Sequence, residues 1–363
     1  MTNIKLQQTR LVELPEERKA RSKVIACMNN KGGCGKTSTN LALGIYFARL
    51  GYNVLFWDND PQSNLTQRLG VPNEQFKDRR LVTFFRLTEF EDFENRQKEL
   101  ILIAKYPYLY RAGSEEIGTI GIMAGHPYAE IEAAGTEQKL NHENFMDPEK
   151  KELHHRFRDA VNKYRNYFDY ILIDTAPALE GSLLCKLALK SADEIICPID
   201  GLEAAAGLKQ LINWMHSQTT PTQGVIKKPN LLFALMKYQE DTVLLSDDSE
   251  GYPLKNAVYR ALKDCLGNYV CDNGIKELQS LRNRAYTISD KRNQYTDLCN
   301  EIISKIHSPR QNFFDAWNIN TSDKLMAKLT KIEEKAMTYK PQFKNPVYRN
   351  LKEQKSNVRL ENR

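Results

Sequence analysis

No run of about 18 consecutive apolar residues occurs in this chain, which excludes a membrane-spanning helix on length alone. The first twenty residues, MTNIKLQQTRLVELPEERKA, also lack the apolar stretch of a secretory signal, and charges recur through them. A cytoplasmic location is therefore expected. Seven cysteines (27, 34, 185, 197, 265, 271 and 299) form no C-x-x-C pair, so neither a disulfide framework nor a zinc or iron–sulfur site is indicated. Free thiols in a reducing compartment are the expectation. Internal repeats and low-complexity tracts are missing as well. One further lack is local. The ordinary phosphate-loop pattern G-x-x-x-x-G-K-[ST] wants glycine at position 30, and Asn30 stands there instead.

What is present suffices for a folded α/β protein. The 363 residues are 41% hydrophobic and 27% charged, enough for one large domain or two modest ones. The net charge of +6 is unevenly placed. Residues 321–363 hold eleven Lys/Arg against five Asp/Glu, leaving the rest of the chain close to neutral. A basic end of this kind suits an acidic partner such as nucleic acid, or is simply a solvated terminus.

Five short apolar runs read as buried strands: Val24–Met28, Val54–Trp57, Tyr170–Ile173, Glu194–Ile199 and Leu231–Met236. The segment TSTNLALGIYFARLG has helical spacing and stops at Gly51, a helix-ending residue, and HHRFRDAVNKYRNYF reads as a helix leading into Tyr170. Strand–helix alternation implies an α/β, doubly wound, mostly parallel sheet flanked by helices, with ligands at the carboxyl ends of the strands. Residues 1–22 are read as an N-terminal helical segment and 23–305 as the main domain. The 71–155 region is divergent within it, and 306–363 are read as a basic C-terminal extension, helical or partly disordered, with Pro341 and Pro346 as breakers. Within 71–155, FEDFENRQKELILIAKY reads as helix-like, Ile120–Met123 as a possible strand, and the stretch around GTEQKLNHENFMDPEKK as a polar loop.

Gly32-Gly33-Cys34-Gly35-Lys36-Thr37 directly follows the first strong strand and opens a helix. Glycines there let successive backbone N–H groups turn inward around an oxyanion, and the helix start at Thr37–Thr39 adds unpaired N–H groups and the positive end of its dipole. In such a loop Lys36 reaches the β- and γ-phosphates of a nucleoside triphosphate, and the Thr37 hydroxyl ligates Mg²⁺. Gly32, Gly33, Cys34, Gly35 and Ser38 complete the expected cradle. The carboxylates Asp58 and Asp60 share one face of an extended segment, and Asp174 closes the apolar strand YILID beside the loop. Cys34 admits two readings: a thiolate activated by the helix N-terminus and a neighbouring lysine, or a small side chain that fits.

Lys31-Gly32-Gly33-Cys34-Gly35-Lys36-Thr37, together with DNDPQSN at 58–64 and YFDYILIDTAPALEG at 167–181, resembles the ParA/MinD/Soj group of deviant Walker A ATPases. DPQxN is characteristic of the ParA branch. The resemblance covers residues 22–70 and 155–210, and extends more weakly to about 300 through NRAYTISD at 283–290. It implies ATP and Mg²⁺ as cofactors and an ATP-bound homodimer in which Lys31 crosses to the nucleotide of the other copy. It further implies Asp60 as the residue that positions the attacking water, Asp58 near the metal shell, and Asp174 as the Walker B carboxylate. PIDGLEAAAGLKQL at 198–211 resembles the segment where dimer and base contacts gather. One proline usual after Asp174 is replaced by Ala176.

The same resemblance implies non-specific DNA as a partner, held by lysines and arginines of the later domain. The candidates are Lys255, Arg260, Lys263, Lys276, Arg282, Arg284, Lys291 and Arg292. It also implies a ParB-like adaptor that stimulates slow hydrolysis, and nucleoid association; no helix-turn-helix domain fits in the 22 residues before the first strand, which favours the short ParA type. Three competitors are disfavoured by features of the chain. A MinD-like membrane ATPase needs a terminal helix with a large apolar face, and KNPVYRNLKEQKSNVRLENR offers only sparse apolar residues. An iron–sulfur reductase needs cluster cysteines, and a related tyrosine kinase needs a tyrosine-dense tail. An ATPase that positions a non-DNA cargo uses the same engine, and no residue separates it.

Overall fold

The computed structural model describes residues 5–7, 11–71, 81–88, 97–105, 117–146, 152–177, 181–219, 228–238, 254–276 and 294–338. These residues contain nine strands: β1 (Lys5–Gln7), β2 (Lys23–Cys27), β3 (Val54–Asn59), β4 (Leu102–Lys105), β5 (Ile120–Met123), β6 (Tyr170–Thr175), β7 (Glu194–Ile199), β8 (Asn230–Tyr238) and β9 (Ile275–Lys276). They form one sheet in the order β1-β4-β5-β3-β6-β2-β7-β8-β9. From β5 to β9 all neighbours are parallel, while β4 runs antiparallel to both β5 and β1. The doubly wound, mostly parallel sheet expected from the strand–helix alternation is therefore present, and helices cover both faces.

The strands of the centre are apolar along their whole length because successive residues enter two different cores. Phe56 packs on one side with Phe47, Leu172 and the Lys36–Arg49 helix. Its neighbour Trp57 packs on the other, edge-on to Phe84 (ring centroids 5.0 Å apart), Phe157 (5.3 Å) and Tyr164 (5.8 Å). The Lys36–Arg49 helix lies so close to the sheet that a β-carbon built on Gly44 would meet the Phe56 ring at 2.2 Å and Leu172 at 2.8 Å. A Gly44→Ala chain is expected to lose about 1–3 kcal/mol of stability through overpacking. Urea unfolding should show a lower midpoint with an unchanged slope.

Three expectations are corrected. The stretch expected to be helix-like before Tyr106 contains a short 3-10 turn, Gln97–Leu100, and then strand β4. Ile101 and Ile103 face one core while Leu102 and Ala104 face the other, so an unbroken apolar run that fits either period resolves as a strand buried on both sides. The polar loop expected around residue 140 belongs to a helix, Ala129–Met146. Its buried face is made of Ala129, Ala133, Thr136 and Leu140, whose small side chains give little apolar signal. At the N-terminus, among the described residues, the helix covers Glu16–Arg21 and Lys5–Gln7 is a strand. Arg18 fixes that helix to the sheet by donating from Nε to Asp169 Oδ1 at 2.7 Å.

The C-terminal region is helical, as expected, through Ile319–Thr338. Leu325 and Leu329 are buried and Lys328 donates to Asp264 at 2.6 Å, fastening this helix along the Leu254–Leu266 helix. Pro341, Pro346 and the rest of the basic tail lie outside the described residues.

Candidate functional site

The phosphate loop leaves the end of β2, the strand between β6 and β7, so it sits where the carboxyl ends of the central strands converge. Its turn depends on two glycines in the left-handed region, Gly33 (φ 73°) and Gly35 (φ 105°). Gly35 precedes the Lys36–Arg49 helix, and a methyl there would also come within 2.9 Å of Met236 Cε. Asn29 pins the start of the loop: its Nδ2 donates to Pro198 O at 2.7 Å, and its Oδ1 accepts from Lys31 N at 2.9 Å. Asn30, at the position where glycine was wanted, holds a buried side-chain oxygen with no hydrogen-bond partner among the described residues.

The two lysines are held differently. Lys36 is buried, and its Nζ donates to the carbonyls of Asn29 and Lys31, each at 3.1 Å. It thus lies across the loop it is meant to serve. Lys31 is half-buried, and its Nζ reaches Asp200 O, just past the end of β7, at 3.4 Å.

Opposite the loop, Thr37 Oγ1 donates to Asp174 Oδ2 at 2.7 Å, and Asn40 Nδ2 donates to Asp174 Oδ1 at 3.1 Å. Burial raises the Asp174 carboxyl to about 6, against the opposing pull of those bonds. Asp58 sits at the same register on the neighbouring strand. Burial, then the charge of Asp174, raises it to about 7. Asp58 is engaged by the Asn64–Arg68 helix: Thr66 donates to its Oδ2 from the backbone N at 2.7 Å and from Oγ1 at 2.6 Å. Gly125 closes over this contact, since its N–H donates to Thr66 Oγ1 at 2.9 Å and an added β-carbon would strike Asp58 Cγ at 2.8 Å. Asp60 forms the turn after β3, accepting from Gln62 N at 2.9 Å, and Ser63 follows with φ 52°. Ser38, on the exposed side, accepts from Arg68 Nη1 at 2.9 Å.

The structure therefore brings Lys31, Gly32, Gly33, Cys34, Gly35, Lys36, Thr37, Ser38, Asp58, Asp60 and Asp174 to one edge of the sheet. It corrects the activated-thiolate reading of Cys34. That side chain is fully buried, and burial raises its pKa despite the nearby lysine, so the small-residue reading holds. The basic candidates are scattered. Arg260 is exposed on the Leu254–Leu266 helix, which also carries Lys255, and Lys276 is on β9. Lys263 instead donates to Val270 O at 3.1 Å and pairs with Asp272. Arg282, Arg284, Lys291 and Arg292, with the NRAYTISD segment, lie outside the described residues.

Sequence reading missed Asn29, Asn40, Thr66 and Gly125. Asn40 was open to detection, because it lies one helical turn beyond Lys36 and so faces the same strand end. Thr66 and Gly125 were not, since nothing local marks a threonine eight residues after Asp58, or a glycine on another strand's exit, as its neighbours.

A glycine loop between strand and helix, a buried lysine bridging its carbonyls and a threonine bonded to the acid of the adjacent strand define a phosphate-loop nucleoside triphosphatase. Comparison with known proteins narrows this. The model of the AAA domain family matches residues 22–227, more than half of the chain, and the chain belongs to it as a ParA/MinD-superfamily P-loop ATPase. It is 30% identical over 192 residues to the sporulation initiation inhibitor protein Soj of Bacillus subtilis strain 168, across 53% of this chain and 64% of that relative. It is 28% identical over 213 residues to the chromosome partitioning protein ParA of Caulobacter vibrioides strain NA1000 / CB15N, across 56% of this chain and 68% of the other. The chain thus spans only about two thirds of the length of these relatives.

Two solved structures share the fold. A putative plasmid partition protein from Borrelia burgdorferi B31 bound to AMPPNP superposes with TM-score 0.54 at 16% identity, covering 78% of this chain and 99% of that one. A cobyrinic acid a,c-diamide synthase from Mycobacterium smegmatis, with ADP and magnesium, gives TM-score 0.54 at 20% identity, covering 80% and 98%.

Proposed function

We propose that this chain is a ParA-type partition ATPase: it dimerises on ATP, holds DNA without sequence preference as the dimer, and releases it when a partner stimulates slow hydrolysis. The observation that carries this reading is the second lysine. Lys36 is committed to the loop, whereas Lys31 stands at its rim beside the end of β7. Two ATP molecules facing one another across a dry interface would repel, and a cation directed from each copy at the opposite phosphates offsets that repulsion. Dimerisation then depends on the γ-phosphate. The names of the Bacillus and Caulobacter relatives support a partition role.

The acids suit a hard divalent cation. Asp58, Asp60 and Asp174 are all buried at one strand edge, and burial raises two of the three carboxyls. Thr37 and Asp174 would hold Mg²⁺, with Asp58 behind them fixed by Thr66; the ion supplies positive charge to the phosphate oxygens. Lys36 turns from the Asn29 and Lys31 carbonyls to the β- and γ-phosphates. Asp60, at the turn, orients the attacking water. Phosphoryl transfer needs little more than such positioning and charge.

An Asp60→Ala chain should elute as a monomer with ADP and as a dimer with ATP in size-exclusion chromatography, and the ATP form alone should comigrate with a random-sequence duplex. Identical elution with both nucleotides would overturn the switch. Turnover equal to that of the parent would remove Asp60 from the mechanism.

A further inference from the structure

The helices Leu153–Tyr164 and Leu183–Ser191 pack side by side on the outer face of the sheet, and together they carry five lysines and arginines against one aspartate. Lys186 and Lys190 are one turn apart and share a face of their helix, as His154 and Arg158 share a face of theirs, whereas Arg156 and Lys163 lie on other sides of it. The two faces meet. Burial, then repulsion by Lys190, His155, Lys186 and Arg158, pushes the His154 imidazole down to about 3. The rings of His154 and His155 lie 4.1 Å apart, Arg158 Nη2 lies 3.4 Å from His155 Nδ1, and burial, then Arg158, lowers the His155 imidazole as well. Burial and Lys186 likewise lower the Lys190 ammonium, offset in part by Glu152 and Glu137. Glu152 is itself occupied, with Oε2 3.0 Å from His154 Nδ1. Among the described residues no ion pair holds Lys186 or Lys190. Cations kept close together, only partly offset by the neighbouring Glu152 and Glu137, mark a surface that a polyanion would stabilise.

The patch is also mounted on the nucleotide edge. The Leu183–Ser191 helix starts nine residues after Asp174, and its first turn touches the strand ends: Leu184 O accepts from Asn59 Nδ2 at 2.7 Å, and Cys185 Sγ donates to Ala176 O at 3.7 Å. Glu130, from the Ala129–Met146 helix, accepts at the same helix start from Ser182 Oγ at 3.1 Å and Leu184 N at 3.4 Å. Lys186 lies about one helical turn beyond these contacts.

We propose that the surface built by Arg158, Lys186 and Lys190 on these two packed helices binds the phosphate backbone of nucleic acid. This rests on the DNA-binding reading above, but assigns it to a surface distinct from the Leu254–Leu266 helix. Crowded cations of this kind have no base-reading geometry, so the contacts position the protein and carry no sequence preference.

The test is fluorescence anisotropy of a labelled random-sequence duplex titrated with full-length protein and ATP, across a salt series. Arg158→Gln/Lys186→Gln/Lys190→Gln is expected to weaken binding at least about tenfold and to flatten the plot of log affinity against log salt by about 2 to 3, since each lost phosphate contact removes about 0.9. Its DNA-free ATP turnover should match the parent, because the three side chains lie outside the site, and its melting temperature should not fall, because the substitutions relieve repulsion between crowded cations. Lys186→Glu/Lys190→Glu should weaken binding further. If the parent binds the duplex and both variants bind equally well, while Arg260→Gln does not, the patch is wrong and the DNA reading survives. If the parent fails to bind duplex, or binds only anionic vesicles, both fall.

Discussion

A Lys36→Ala chain is expected to lose nucleotide binding almost completely while remaining folded. The Lys36 ammonium is buried against the phosphate loop and is shared between two carbonyls of that loop at 3.1 Å. Binding a triphosphate exchanges those neutral acceptors for charged ones. Hydrogen bonds to charged groups contribute about 1.5–3 kcal/mol each, so losing two of them weakens ATP by roughly 10²- to 10⁴-fold. The substitution also strands the Asn29 and Lys31 carbonyls, but these border the site and can turn to water. The melting temperature should therefore fall by only a few degrees. Isothermal titration with a non-hydrolysable ATP analogue checks the first point and a thermal melt the second. Affinity within threefold of the parent would show that the backbone N–H groups of the loop alone hold the phosphates.

Lys31→Ala should separate binding from turnover. Within one copy the Lys31 ammonium reaches back to Asp200 O at 3.4 Å rather than into the loop, so ATP affinity should change by no more than a few fold. If the side chain acts on the opposite nucleotide, dimerisation with ATP should disappear and hydrolysis should fall by about 10³-fold, the lower end of what a cationic finger supplied in trans contributes. Mixing provides the decisive comparison. Lys36→Ala chains hold no ATP but still offer Lys31, and Lys31→Ala chains hold ATP but lack that lysine. The mixture should recover part of the parent turnover that neither variant shows alone. Recovery shows Lys31 acting in trans, whereas lost turnover in Lys31→Ala chains that still dimerise with ATP would show that Lys31 acts on its own nucleotide.

The site was legible to the extent that its groups are neighbours in the chain. The loop from Lys31 to Thr37 announces itself because the glycines, the lysine and the hydroxyl must be contiguous to wrap one phosphate. Asp174 was legible because an acid that ends an apolar strand has nowhere to lie but the sheet edge. Strands β2, β3, β6, β7 and β8 were visible for the same reason, since burial on both faces leaves an uninterrupted apolar run. By contrast, β4 hid inside a run that fits a helix equally well, and the Ala129–Met146 helix hid behind small and polar residues. The Lys263 pairing shows the same limit. Its partner, Asp272, follows a further turn of chain, so a list of exposed-looking basic residues could not exclude it.

The amino-acid sequence by itself determined the phosphate loop, its two lysines, the acid that ends the YILID strand and the mostly parallel, doubly wound class of the sheet. Each of these is written in contiguous stretches of chain, whereas the order of the strands was settled by the tertiary structure. Tertiary structure alone decided that Asp58 is clasped by Thr66, that Asn40 shares Asp174 with Thr37, and that Cys34 is sealed from solvent. It alone set Arg158 beside Lys186 and Lys190 as well. These depend on where separate elements come to rest against one another, and that is settled by how side chains fill the two cores on either side of the sheet.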